Sequence, residues 1–89
     1  MTGPEHLAVG RIVKPHGMRG EVAVFALTED AKRFEPGRTL YLSPTPDGER
    51  SFPVTVESSR LHQGRWLLTL DRIADRTHAE QHVGSYLVL

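Results

Sequence analysis

The chain predicts an all-β fold, a small closed barrel of short strands with one short helix near Thr77–Val83. Three observations lead there. Apolar residues recur at alternate positions over short runs, Gly and Pro punctuate those runs, and 89 residues leave room for one domain. A sheet closed on itself also loses the exposed edges on which other chains pair.

The elements follow in order. Leu7 to Val13 reads as a strand interrupted by Gly10, which marks a bulge or a close backbone approach. Glu21-Val22-Ala23-Val24-Phe25-Ala26-Leu27 is a second strand, apolar at nearly every position, so that both faces are expected to be covered. Asp30 to Phe34 fits a single helical turn, and Leu40-Tyr41-Leu42 a third strand. Pro46-Asp47-Gly48 supplies the turn before the next one. There Phe52, Val54 and Val56 alternate with Pro53, Thr55 and Glu57, and Pro53, which cannot donate to a ladder, belongs at an edge or a bulge.

His62-Gln63-Gly64 is a hairpin turn leading into Trp66, Leu68 and Leu70, which alternate with Arg65, Leu67 and Thr69. Phe52 and Trp66 fall on the core side. Thr77 to Val83 is helical, with Thr77 as the cap, Glu80 reaching back to complete the box and Gly84 as the left-handed exit. Tyr86 to Leu89 is the last strand. It ends without a polar tail, which suggests a piece of a longer protein. Residues 1–6 are expected to be a flexible N-terminus and 7–89 the domain.

Bulk composition narrows the function. Without cysteine there is no disulfide, thiolate zinc site or thiol nucleophile, as suits a reducing, cytoplasmic setting. No apolar run approaches the roughly 20 residues that span a bilayer, and the N-terminus lacks the form of a signal peptide, so a soluble chain with no membrane partner is expected. Eleven Lys and Arg balance eleven Asp and Glu, which argues against a domain devoted to gripping phosphates. Arg11, Lys14 and Arg19 nevertheless fall together, so a local basic patch fits a neutral whole. A domain this short buries only about 60% of its unfolded surface, which favours a shallow partner surface over a deep catalytic cleft.

Catalytic and metal patterns fail on inspection. His78 and His82 lie four apart, yet Ala79 stands where the zinc-protease pattern needs glutamate, and a third ligand would have to come from elsewhere. No Gly-x-Ser-x-Gly elbow occurs. Asp71 and Asp75 flank a helix start, where acids favour the dipole. Gly17 and Gly20 are no phosphate loop, since Glu21 stands where Lys-Ser or Lys-Thr is required. No catalytic residue, metal or cofactor is assigned.

The segment Val9-Gly10-Arg11-Ile12-Val13-Lys14-Pro15-His16-Gly17-Met18-Arg19-Gly20-Glu21-Val22 carries most information. It is either a strand, a turn and a strand, or a rigid loop that presents Lys14, His16, Met18 and Arg19 on one rim with Arg11 nearby; composition supports both equally.

With these residues the chain resembles the N-terminal domain of the RimM family of ribosome maturation factors, the 16S rRNA processing proteins. The resemblance rests on Val9-Gly10-Arg11-Ile12 and His16-Gly17-Met18-Arg19-Gly20-Glu21-Val22. It extends through Arg33-Phe34, Pro36-Gly37, Leu40-Tyr41-Leu42, Asp75-Arg76-Thr77-His78-Ala79-Glu80 and Val83-Gly84. Met18 departs from the family, which more often has another aliphatic residue there. The resemblance implies a six-stranded β-barrel similar to domain two of elongation factors, followed in full-length members by a PRC-type barrel absent from this chain. It also implies a non-enzymatic factor that binds the immature small ribosomal subunit and assists folding and processing of 16S rRNA in the head region. The implied partners are the small-subunit precursor and a head-region ribosomal protein, with 16S rRNA as a further one and a monomer as the default. Arg11, Lys14, His16, Met18 and Arg19 are then the candidate partner-binding residues. Two alternatives stand beside this: a stand-alone RNA-binding barrel, which needs exposed aromatics for stacking, and a small metal enzyme built on His78 and His82.

Overall fold

The structure, a computed structural model, describes residues 7–89; the N-terminal stretch 1–6 lies outside the described residues. Among the described residues there are six strands: β1 (Ala8–His16), β2 (Glu21–Ala26), β3 (Thr39–Ser43), β4 (Phe52–His62), β5 (Arg65–Leu70) and β6 (Tyr86–Val88). A 3-10 turn (Ala31–Phe34) precedes β3, and one short helix, α1 (Arg76–Glu80), precedes β6. Every pairing is antiparallel, and the order β1-β2-β5-β4-β3-β6 closes into a barrel through β6 on β1.

The core follows the alternation. Val9, Ile12, Val22, Val24, Leu40, Leu42, Val54, Val56, Leu68, Leu70 and Leu87 point inward and are buried. The 3-10 turn adds Phe34, also buried, whose ring lies 5.6 Å from that of Trp66. Trp66 and Phe52 pack against this cluster from its margin, as the alternation predicts. Asp30 starts the turn by accepting a hydrogen bond from the Lys32 amide at 3.1 Å. Gly10 proves to be a close approach: a Cβ there would sit 2.7 Å from Cγ1 of Val24.

Pro53 sits where its missing N–H costs nothing. The Val56 amide donates toward the β3 side, to the Arg38 carbonyl, while the Thr55 amide faces the other way and donates to the Asp71 carboxylate. Two residues before Thr55, the Pro53 nitrogen faces that same side, and β5 pairs only from Val56 onward. The early part of β4 is thus a local edge.

Four expectations are corrected. β1 runs on to His16, because Pro15 and His16 pair with Val22 and Glu21; only residues 17–20 form the turn. The second strand is not covered on both faces throughout, since Phe25 is 56% exposed. Leu67, on the outward set of β5, is instead fully buried. The helix is capped two residues earlier than Thr77: Asp75 is the N-cap and accepts from the His78 amide at 2.9 Å, while Glu80 pairs with Arg76 at 3.4 Å. An aspartate reaches the third amide from its own position as well as threonine does, and Asp75 has the extended backbone of a cap. Gly84 exits at a φ of 91°, as expected.

Candidate functional site

The outer face of β1, β2, β5 and β4 forms a grid set by register. Lys14 pairs with Ala23, Ala23 with Leu67, and Leu67 with Arg60, which places these four in one row across the sheet. Lys14 reaches the outer face because β1 bulges between Ile12 and Lys14. Strict alternation from buried Ile12 would have sent Lys14 inward; the extra residue re-aims Lys14 and His16 outward. Ala23 and Leu67, in the middle of the row, are buried despite facing out.

Their cover comes from the flanking strands. The imidazoles of His16 on β1 and His62 on β4 lie 5.4 Å apart although those strands do not pair with each other. Arg60 reaches from β4 to β2, where its Nε and Nη2 each donate to the Glu21 carboxylate at 3.1 Å. This two-pronged bond, first of all, holds the Glu21 carboxyl below the usual carboxylate range, against the opposing effect of partial burial. The face is therefore curled into a cradle.

Two hollows occupy it. The first, of about 350 Å³, has Lys14, His16, His62, Gln63 and Arg65 as walls and Ala23 and Leu67 as floor. The second, of about 420 Å³, shares His16 and continues over Gly17, Met18 and Arg19 to the Glu21–Arg60 pair. Met18 is 75% exposed. Among the described residues Lys14, Arg19 and Arg65 enter no ion pair, whereas Arg33, Arg38, Arg60 and Arg76 all do.

The loop is held from behind. Gly20 has a φ of 87°, and a Cβ there would lie 2.9 Å from both the Asp75 amide nitrogen and the Ile73 carbonyl oxygen. Arg76 donates to the Gly17 carbonyl at 2.9 Å. The two sequence runs around His16–Gly20 and Asp75–Glu80, distant in the chain, are one packed unit.

Four of the five candidate residues, Lys14, His16, Met18 and Arg19, line these adjoining hollows. Arg11 lines neither: its Nε donates to the Gly84 carbonyl at 3.3 Å and its guanidinium lies over the Tyr86 ring at 5.4 Å. Sequence reasoning missed Arg60, His62, Gln63 and Arg65. A signal was present, since the stretches 9–22 and 58–70 together hold five of the eleven Lys and Arg but one of the eleven Asp and Glu. His78 and His82 lie elsewhere, their rings 5.3 Å apart. Burial, then the neighbouring His78, keeps the His82 pKa below its ordinary value. No third His, Cys, Asp or Glu joins them in a metal-sized group among the described residues.

The class is a small closed β-barrel domain with a cation-lined outer cradle and a glycine loop locked onto a capped helix. The RimM N-terminal domain model matches residues 7–89, and the chain belongs to that family. It is 40% identical over 80 residues to the ribosome maturation factor RimM of Corynebacterium efficiens, covering 89% of this chain and 46% of that protein. It is 46% identical over 78 residues to the ribosome maturation factor RimM of Moorella thermoacetica, covering 84% and 44%. A crystal structure of a RimM from Pseudomonas aeruginosa superposes with a TM-score of 0.80 at 27% identity, over 96% of this chain and 50% of that one. The chain thus spans about half the length of the relatives it matches.

Proposed function

We propose that this chain is the part of a ribosome maturation factor that docks on the immature small ribosomal subunit. It assists folding and processing of 16S rRNA in the head region by binding, without catalysis, in the cytoplasm. The family match over residues 7–89 carries this reading. The cradle supports it: cations free of ion pairs beside exposed Met18 suit a surface of mixed RNA and protein, including a head-region ribosomal protein.

Cosedimentation of the chain with precursor small subunits tests the reading. Binding should fall steeply between about 50 mM and about 200 mM salt, as phosphate contacts require. The double substitution Lys14→Ala and Arg19→Ala should weaken it about tenfold or more, two phosphate contacts being removed. Salt-independent binding, or a folded double variant that binds unchanged, would move the contact off this face.

A further inference from the structure

We infer that the first hollow, between β1 and the β4–β5 hairpin, takes one unpaired RNA nucleotide, with its base on the His16–His62 imidazole pair and its phosphate between Lys14 and Arg65. This rests on the ribosome-docking reading and deepens it by naming the component that the cradle receives.

The charges fit an anion. Lys14 and Arg65 both line a hollow with a buried apolar floor, Ala23 and Leu67, and neither is neutralised by a carboxylate among the described residues. Cations above a low-dielectric floor act on an anion more strongly than the same cations in open water. Glu21, which lines the adjoining hollow, is already held by both prongs of Arg60.

The shape and the remaining groups select the kind of anion. A hollow of about 350 Å³ is the size of a small-ligand site rather than a flat phosphate-backbone contact. Its imidazoles offer π-faces beside the cations, and unpaired bases in RNA stack on histidine as on other aromatic rings. Trp66 and Phe52 pack against the core, and the rings that line the hollow are the two imidazoles, tilted 58° to each other, so that one can take the face of a base and the other its edge. Gln63, at the hairpin tip, brings both an amide donor and a carbonyl acceptor to the wall, the pair of groups that a base edge needs. An acidic peptide would use the cations and leave the rings and Gln63 unengaged. His16 also lines the second hollow, so a strand crossing it continues toward Met18 and Arg19, where the next phosphate meets a third unpaired cation.

The test is fluorescence anisotropy of the 89-residue chain with labelled oligouridine, RNA duplex and polyglutamate. Oligouridine should bind at least about tenfold more tightly than either competitor, because only it offers splayed bases. The double substitution Lys14→Ala/Arg65→Ala should lower the salt slope by about 0.7, the value for one phosphate on a single strand. His62→Ala should weaken binding by roughly tenfold while His62→Phe, which keeps a ring, retains it. Circular dichroism checks that each variant is folded. Undetectable oligouridine binding, duplex or polyglutamate binding as tightly, or folded alanine variants matching the unaltered chain would each overturn the inference.

Cosedimentation with precursor subunits separates the two proposals. Retained subunit binding by a folded His62→Ala/Arg65→Ala variant overturns the nucleotide site and leaves the docking reading standing. Failure of the unaltered chain to bind subunits overturns the docking reading even where oligouridine binds as expected.

Discussion

Two corners of the barrel meet over the cradle, and they are held in different ways. The β1–β2 loop, residues 17–20, is clamped from behind: Gly20 presses on the Ile73–Asp75 backbone and Arg76 grips the Gly17 carbonyl. The β4–β5 hairpin turn is made locally. Gln63 and Gly64 both take positive φ, 52° and 80°, the two-residue turn whose twist matches that of its strands, and a Cβ on Gly64 would meet nothing within 4 Å. One wall of the cradle therefore depends on a distant helix and the other on its own turn residues. Orientation of the loop is a tertiary property, while orientation of the hairpin is nearly a local one.

Substitution of the two glycines gives the largest contrast. Gly20→Ala combines an unfavourable backbone angle with a collision against immovable main chain, so it should cost roughly 3 kcal/mol and lower Tm by about 15 °C. Gly64→Ala meets only the left-handed penalty and should cost about 1 kcal/mol. Thermal unfolding of both variants measures this, and equal losses would show that the two corners are held alike.

Arg76→Ala should act more locally. It removes the bond to Gly17 and the exposed pair with Glu80, with a stability loss of about 1 kcal/mol or less. Amide hydrogen exchange should quicken at residues 17–20 and stay unchanged at Gln63 and Gly64. Faster exchange at both corners would mean that they are coupled.

The smallest expected effect is a pH dependence away from the cradle. Because burial and His78 lower the His82 pKa in the folded chain, the unfolded chain binds the proton more readily. The associated stability is complete above the ordinary histidine pKa of about 6.5 and declines as pH falls below it. Tm should thus drop between about pH 7 and about pH 5, and His82→Gln should flatten that drop. An unchanged slope in the variant would assign the dependence to other groups. Glu21 follows the same sign in a more acidic window, below the ordinary carboxylate value of 4.5, where protonation releases Arg60.

Much of this was legible beforehand because it is local. Asp-Gly and Gln-Gly turns, the alternation of Phe52, Val54 and Val56, and the Gly17/Gly20 punctuation all report backbone angles and faces set by near neighbours. The misreadings are of another kind. Phe25 and Leu67 have the wrong exposure for their patterns because cover on an outer face comes from the flanking strands, and periodicity along one strand carries no information about them. Asp75 displaced Thr77 as the cap because Arg76 already lies within the helix, its side chain drawn to Gly17.

By itself, then, the sequence determined a closed all-β barrel, its turns, and a glycine-punctuated segment from Val9 to Val22 bearing Lys14, His16, Met18 and Arg19. Only the tertiary structure decided that Arg60, His62, Gln63 and Arg65 stand opposite them and that Arg11 does not. The reason is register. A bulge in β1 turns Lys14 outward, and pairing of β2 with β5 carries the β4–β5 hairpin across the sheet to it. Those pairings join residues some forty positions apart, for which the chain has no local signature.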